Sequence, residues 1–201
     1  RVALTLGSLG DLAAYEGRQE DAENLLVESI AILERSEGPD SAPVARAYQN
    51  LGLVHRRFGN IDDAERAQRK ALEIRERRSD GVDDADVAEA LNNLALIVRA
   101  RGADAEAARL YRRALAAQEA LEGEDRRGLP ATLHNLARLL ESRNDIDGAD
   151  AMYRRAAEIV ERDMPPGAPT RMTIFGAWAA MLEGAGRSEE ARAVRDRAAG
   201  A

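Results

Sequence analysis

The chain has 201 residues, of which 45% are apolar but only 3% are aromatic, and its formal net charge is −7. The negative charge argues against a general nucleic-acid binder, which needs a basic surface, and the lack of cysteine excludes disulfides, thiolate metal sites and cysteine nucleophiles. No apolar run reaches the roughly 18 residues that a membrane-spanning helix needs. We therefore expect a cytoplasmic protein with no nucleic-acid or membrane partner.

Apolar periodicity, with Gly and Pro between the periodic segments, predicts ten consecutive helices. We expect them at residues 2–16, 19–36, 42–58, 61–78, 85–101, 104–122, 130–143, 146–163, 168–184 and 188–199. Within each pair the chain turns at Gly17, Gly59, Gly102, Asn144 and Gly186, which are 42, 43, 42 and 42 residues apart. Gly and Asn readily adopt the left-handed conformation at a helix end, so one kind of turn recurs five times.

The packing residues recur with the same period. A large apolar residue lies eight positions before each turn and a small one follows it: Leu9–Gly10, Leu51–Gly52, Leu94–Ala95, Leu136–Ala137 and Trp178–Ala179. This alternation is what two antiparallel helices need to pack closely. The chain is therefore predicted to hold five helix–turn–helix units in a single domain, at about 1–41, 42–84, 85–128, 129–167 and 168–201.

Three segments carry a pattern that can be compared with known repeats: GPDSAPVARAYQNLGLV at 38–54, VAEALNNLALIVRARG at 87–102 and ADAMYRRAAEIVE at 149–161. They resemble the tetratricopeptide repeat, in particular the form with this chain's 42-residue period that occurs in kinesin light chains and their bacterial relatives. The resemblance covers essentially the whole chain. It implies an all-α fold, a right-handed superhelix (α-solenoid) of about five antiparallel units, and a scaffold for protein–protein interaction. We expect a bacterial protein of which this chain is a part.

The first helix of each unit has a buried face and a free face on a helical projection. The free face carries polar pairs ten and nine positions before the turn: Gln49–Asn50, Asn92–Asn93 and His134–Asn135. A carboxamide has both donors and an acceptor, so such a column can bind the backbone of an extended peptide. In the resembling family this face lines the concave groove where partners lie. The alternative is that the amides cap neighbouring helices or bridge repeats.

Arginine and leucine flank these amides on the same face. The residues are Arg46, Leu53, Arg56, Arg57, Leu96, Arg99 and Arg138. A locally positive groove in a chain of negative net charge favours an acidic segment of a partner, to which Arg offers a bidentate match. The alternative is a general enrichment in arginine, because the second helices also carry it, at Arg112, Arg113, Arg154 and Arg155.

The residue pattern gives no indication of catalysis or of metal or cofactor binding. His55 lies at a buried position of its helix, His134 belongs to the amide column, and neither has the companions of a metal site. Acidic pairs such as Asp62–Asp63 lie at helix starts, and there is no phosphate-binding Gly-rich loop. We therefore expect no catalytic residue, no metal and no cofactor, in a protein that is not an enzyme.

Two functions remain open at this point. The first is a scaffold that binds an extended, acidic peptide segment in its groove. The alternative is a regulatory or self-association array of a larger bacterial signalling protein, which contacts its own neighbouring domains. The fifth unit, in which Phe175 and Trp178 are expected to be prone to exposure, is either a cap or the start of a further surface.

Overall fold

The computed structural model describes residues 1–121 and 128–199, and within these ranges it contains ten α-helices and no β-strand. The helices are α1 (Val2–Tyr15), α2 (Gln19–Glu37), α3 (Ala42–Arg57), α4 (Ile61–Arg78), α5 (Ala85–Ala100), α6 (Asp104–Ala120), α7 (Leu129–Ser142), α8 (Ile146–Asp163), α9 (Pro169–Gly184) and α10 (Ser188–Ala199). The prediction of ten helices is confirmed, and every helix end but one agrees to within one residue. The exception is the predicted end of the sixth helix at residue 122, because α6 ends at Ala120 and Leu121 is not helical. Residue 122 itself lies outside the described ranges.

Local sequence signals explain where several helices begin. The carboxylates of Asp84 and Asp145 accept the backbone N–H of Val87 at 2.9 Å and of Gly148 at 3.0 Å, and so cap α5 and α8. Proline occupies the first turn of α3, α7 and α9, where its missing N–H costs nothing. These caps stabilise the pairs of helices that the repeat pattern predicts.

The five turns within the helix pairs have the predicted backbone conformation. The angle φ is +80° at Gly17, +82° at Gly59, +88° at Gly102, +61° at Asn144 and +76° at Gly186. A residue with a Cβ pays for this left-handed conformation, but Gly does not and Asn is tolerated there. The turn that ends each first helix is therefore already determined by the residue type at one position.

The described residues form two compact units, which we treat separately. Unit 1 spans Arg1–Ala117, and unit 2 begins at Gln118. Within unit 1, α1 packs on α2, α2 on α3, α3 on α4 and α4 on α5; within unit 2, α7 packs on α8, α8 on α9 and α9 on α10. The fold class is thus all-α, made of antiparallel helix pairs. That the chain acts as a single domain of five repeats stays a prediction.

Small residues allow the two helices of a pair to approach closely. A Cβ added to Gly52 of α3 would lie 2.8 Å from Nε2 of Gln68 and 3.1 Å from the backbone oxygen of Ala64, both on α4. The Nε2 group of Gln68 donates to the backbone oxygen of Gln49 at 2.9 Å. Gly52 is therefore needed both for the helix distance and for a buried hydrogen bond between α3 and α4.

The expectation that Phe175 and Trp178 are prone to exposure is wrong. Both rings are buried in unit 2, and the indole N–H of Trp178 donates to Asp150 of α8 at 2.7 Å. Arg197 of α10 lies over both rings, 5.7 Å and 5.4 Å from their centroids. The fifth pair packs against α8, whose mostly buried Asp150 accepts the indole N–H, and the residues of α9 alone do not reveal this partner.

None of the helices in the described ranges combines the length and the apolar character needed to cross a bilayer.

Candidate functional site

Unit 1 carries three cavities that share one residue, Asn50 of α3. The largest, about 530 Å³, lies between α1 and α3; a second of about 420 Å³ involves α1, α2 and α3; and a third of about 320 Å³ involves α3, α4 and α5. We call the surface around them the Asn50 face. Its lining residues include Asp11, Tyr15, Arg46, Asn50, Leu53, Arg56, Arg57 and Arg78.

Asn50 bridges two helices and still has an unused acceptor. Its amide nitrogen donates to the carboxylate of Asp11 on α1 at 3.4 Å, a long bond in an exposed position. Burial raises the pKa of that Asp11 carboxyl. The carboxamide oxygen of Asn50, like the whole carboxamide of half-buried Asn93 on α5, makes no hydrogen bond to a described residue.

Gln49, predicted to lie on the free face, is buried, and this part of the prediction is wrong. Its Nε2 group donates to Glu89 of α5 at 2.6 Å, and its Oε1 accepts from Arg75 of α4 at 2.5 Å. Arg75 also donates to the backbone oxygen of Asp86 at 2.8 Å. The Gln49 amide therefore links three helices, as the alternative interpretation of the amide column proposed for such residues.

Three arginines of the Asn50 face have no side-chain partner among the described residues. Arg46, Arg56 and Arg78 are exposed and form no ion pair or hydrogen bond through their side chains with any described residue. Three other arginines of unit 1 differ, because each is held by two carboxylates. These pairs are Arg69 with Glu65 and Glu106, Arg77 with Glu73 and Asp40, and Arg113 with Asp83 and Glu76.

An aromatic ring and a leucine add apolar surface beside these arginines. The guanidinium of Arg57 lies over the ring of Tyr15, 5.7 Å from its centroid, and donates to the Tyr15 backbone oxygen at 3.4 Å. Tyr15 and Leu53 are both exposed and line the largest cavity. The face thus combines positively charged, amide and apolar side chains.

The structure also contains lining residues that the sequence analysis missed. Asp11 and Tyr15 lie on the free face of the first unit, where the repeat offsets could have placed them beside Leu53 and Arg57. Arg78 ends α4, a second helix, so the first-helix columns could not have identified it.

The remaining predicted residues lie on α5 and, in unit 2, on α7. Asn92, Leu96 and Arg99 of α5 are half-buried, as are His134 and Asn135 of α7, whereas Arg138 is exposed. The His134 ring packs edge-on against Tyr153 of α8, with 5.7 Å between the ring centroids. His134 is therefore part of the contact between α7 and α8.

His55 confirms the prediction of a packed histidine. Its ring is half-buried on α3, with Nδ1 lying 3.2 Å from a carboxylate oxygen of Glu23 on α2. Within the described ranges, no group of three His, Cys, Asp or Glu side chains is arranged to hold a metal ion.

Solved structures show the same helical architecture. BtubC (BKLC) from P. vanneervenii is 27% identical, with a TM-score of 0.80 over 96% of this chain and 76% of that one. The nearly identical TPR-like repeats of a Podosopora anserina protein assigned as a kinesin light chain are 18% identical, with a TM-score of 0.77 over 96% and 91% of the two chains. MamA is 18% identical, with a TM-score of 0.62 over 94% and 91%. A comparison with curated proteins gives no match.

A family model described as "Tetratricopeptide repeat" matches residues 1–77 and 86–162. Proteins built from these repeats generally bind other proteins and are typically scaffolds without enzymatic activity. The matched ranges include the helix pairs that carry the Asn50 face, and the structural neighbours include repeats of the kinesin-light-chain kind. The chain therefore belongs to the tetratricopeptide-repeat family, whose fold serves as a scaffold for protein–protein interaction.

Proposed function

We propose that the chain binds an extended, acidic segment of a partner protein on the Asn50 face of unit 1. The observation that carries this proposal is the set of three arginines, Arg46, Arg56 and Arg78, that line the cavities without an ion pair to a described residue. A guanidinium beside a partly enclosed cavity binds a carboxylate in a bidentate manner, and this bond is about twice as strong as one between neutral groups.

Amide and apolar groups on the same face suit the backbone and the remaining side chains of such a segment. The carboxamide oxygen of Asn50 is available for a backbone hydrogen bond. So is the carboxamide of Asn93, which occupies the equivalent position of α5 and lies outside the walls of the three cavities. Leu53 and Tyr15 offer apolar contacts close to the arginines. An extended segment with carboxylates interspersed among apolar residues matches this arrangement.

A selection from randomised ten-residue peptides tests the proposal directly. Peptides enriched on the protein are expected to be acidic, with apolar residues between the acids. The double variant Arg46→Glu, Arg56→Glu is expected to weaken the affinity for an enriched peptide roughly tenfold or more, since two reversed charge contacts at about 1 kcal/mol each exceed the 1.4 kcal/mol of a tenfold change. Higher salt is expected to weaken binding in the same direction.

Arg35→Glu provides the matched control. Arg35 is exposed on α2, makes no ion pair with a described residue and lies outside the walls of the three cavities. Its reversal changes the net charge in the same direction and is expected to leave peptide affinity within about twofold. The proposal would be contradicted if the enriched peptides were no more acidic than the starting library. It would also be contradicted if the double variant and Arg35→Glu lost the same peptide-binding free energy for each reversed charge.

Two amide variants separate binding from stability. Asn93→Ala is expected to weaken peptide binding with little change in melting temperature, because its carboxamide makes no hydrogen bond to a described residue. Gln49→Ala is expected to lower the melting temperature, because it leaves Arg75 and Glu89 without their buried partner. The regulatory or self-association alternative, the cytoplasmic location and the bacterial origin stay predictions.

A further inference from the structure

Two cavities of the Asn50 face lie at equivalent junctions of consecutive repeats. The cavity of about 420 Å³ is lined by α1, α2 and α3, and the cavity of about 320 Å³ is lined by α3, α4 and α5. Residues that are 42 or 43 positions apart occupy the same place in the two junctions, because the turns at Gly17, Gly59 and Gly102 have this spacing. The two cavities can therefore be compared residue by residue.

The junction of α3, α4 and α5 is closed by hydrogen bonds among its own side chains. Gln49 donates to Glu89 at 2.6 Å and accepts from Arg75 at 2.5 Å. Arg75 also donates to the backbone oxygen of Asp86 at 2.8 Å. One cation and one anion are thus both satisfied within this junction, with a buried amide between them.

The junction of α1, α2 and α3 has none of these contacts. The residues at the places of Gln49, Arg75 and Glu89 are Gly7, Leu33 and Arg46. Glycine puts no side chain into the cavity, and leucine makes no hydrogen bond. Further apolar walls come from Leu4, Leu26, Pro43 and Ala47. The sequence change at three places therefore replaces a closed polar contact by an open cavity with mostly apolar walls.

Arg46 has no acid at this junction to replace the contacts of the next one. Two of the residues that line the cavity are charged, Arg46 and Asp11. The Asp11 carboxylate already accepts the amide of Asn50 at 3.4 Å, whereas Arg46 has no side-chain partner among the described residues. An apolar cavity beside an unpaired guanidinium is complementary to an apolar group that carries a carboxylate close by.

We propose that this cavity receives one large apolar side chain of the bound segment, and that Arg46 holds the carboxylate of an acidic residue within two positions of it. We call the cavity the Gly7 pocket, lined by Leu4, Gly7, Leu26, Leu33, Pro43 and Arg46. Gly7 determines the specificity, because a side chain at its place would occupy the room that the ligand needs. The proposal rests on the binding of an acidic segment proposed above and adds the position of its apolar contact. A volume of about 420 Å³ lies within the range of about 300–1,000 Å³ that is usual for ligand pockets.

The peptides enriched in the selection described above test the pocket. They are expected to share one large apolar residue within two positions of an acid. Its replacement by alanine in the peptide is expected to weaken binding roughly tenfold, since most of a buried side chain is lost. Gly7→Gln in the protein is expected to weaken binding of the unchanged peptide by a similar factor of about ten. With both changes together the loss should exceed either single loss by no more than about twofold, because both remove the same contact.

Gly7→Ala is the milder variant and keeps the fold. An added Cβ lies 3.7 Å from Oγ of Ser29, an ordinary contact, and alanine favours the helix. This variant is expected to keep or raise the melting temperature and to weaken peptide binding a few-fold. Urea unfolding followed by circular dichroism checks that both Gly7 variants stay folded.

Gly176→Gln is the matched control. Gly176 occupies the same place in α9 of unit 2, ten positions before its turn, and nothing lies within 4 Å of a Cβ added there. This variant gains the same side chain outside the pocket and is expected to leave peptide affinity within about twofold.

The outcomes separate this proposal from the proposed function. Acidic peptides that require Arg46 and Arg56 but share no apolar position would overturn the pocket and leave the proposed function intact. The same holds if Gly7→Gln binds as well as the wild type, or loses no more affinity than Gly176→Gln. A selection that enriches no acidic peptide would overturn both.

Discussion

Asp150 provides the sharpest test of how unit 2 is held together. Its side chain, only 13% exposed, accepts the indole N–H of buried Trp178 at 2.7 Å and contacts Arg154 at 3.1 Å and Arg187 at 3.3 Å. Asp150→Ala leaves the Trp178 donor buried without an acceptor, which costs about 1–3 kcal/mol. Asp150→Asn keeps an oxygen for Trp178 and loses mainly the charge, so its cost is expected to be about 1 kcal/mol or less.

Tryptophan fluorescence in urea measures this cost in unit 2 directly, because Trp178 is the one tryptophan of the sequence. With a urea dependence of about 1–3 kcal/mol per molar, a loss of about 2 kcal/mol lowers the midpoint by roughly 1 M. Glu158→Ala, at an exposed position of the same helix, is the control and is expected to change the midpoint little. An Asp150→Ala protein with the midpoint of the wild type would refute the reasoning.

The pH dependence provides a second check on Asp150. Burial alone would raise the pKa of Asp150, but hydrogen bonds from Trp178 and Arg154 outweigh it and hold the pKa below the usual 3.8. A lowered pKa in the folded state means that the charged form contributes stability above the unfolded pKa and that this contribution is lost as the pH falls through the folded pKa. The difference in stability between wild type and Asp150→Asn is therefore expected to be full at about pH 6 and to shrink below about pH 4. A difference that stays constant over this range would speak against the charged contact.

Backbone and packing predictions can be measured by urea unfolding followed by circular dichroism. Gly52→Ala is expected to cost about 1–3 kcal/mol, because its Cβ would displace Gln68. Nothing lies within 4 Å of a Cβ added to Gly176 in α9, so Gly176→Ala is expected to raise the free energy of unfolding by about 0.5–1 kcal/mol. If both alanine variants changed the stability in the same direction, helix propensity and not packing would determine the effect. Asn144 has a φ of +61°, so Asn144→Ala is expected to lower the free energy of unfolding by about 1–2 kcal/mol, whereas Asn144→Gly is expected to change it very little. Equal effects of the two variants would contradict the explanation of this turn by its left-handed conformation.

Much of the fold could be predicted from the sequence, because its signals are local and recur in every pair. A helix begins at a cap or at proline, and it ends where Gly or Asn takes a positive φ, so the boundaries depend on residues close in sequence. In each first helix, the small residue that follows a large apolar one predicted which face packs against the second helix. The close approach of Gly52 on α3 to Ala64 on α4 confirms this prediction. In the candidate site, the prediction that Arg46, Leu53 and Arg56 of α3 lie on a free face agrees with their exposure.

The same columns could not predict which members of the face are covered by neighbours. Gln49 and Asn50 are adjacent in sequence and similar in chemistry, yet Gln49 is buried between Arg75 and Glu89 while Asn50 lies open among three cavities. The difference arises from Arg75 of α4 and Glu89 of α5, which form hydrogen bonds with the side chain of Gln49 and not with that of Asn50.

The sequence by itself determined the ten helices, their turns and the family, because 3.6-residue periodicity and turn chemistry act over a few residues. Only the tertiary structure decided which of the equivalent residues are buried and which are exposed. Leu9 and Leu51 occupy one column of the repeat, but α2 covers Leu51, and no described helix covers Leu9. Trp178, in the same column, is buried because α8 packs on α9, and Asp150 of α8 accepts its N–H. Burial depends on the neighbours that the fold places beside a residue, so equal residues at equal offsets belong to the core in one pair and are exposed in another.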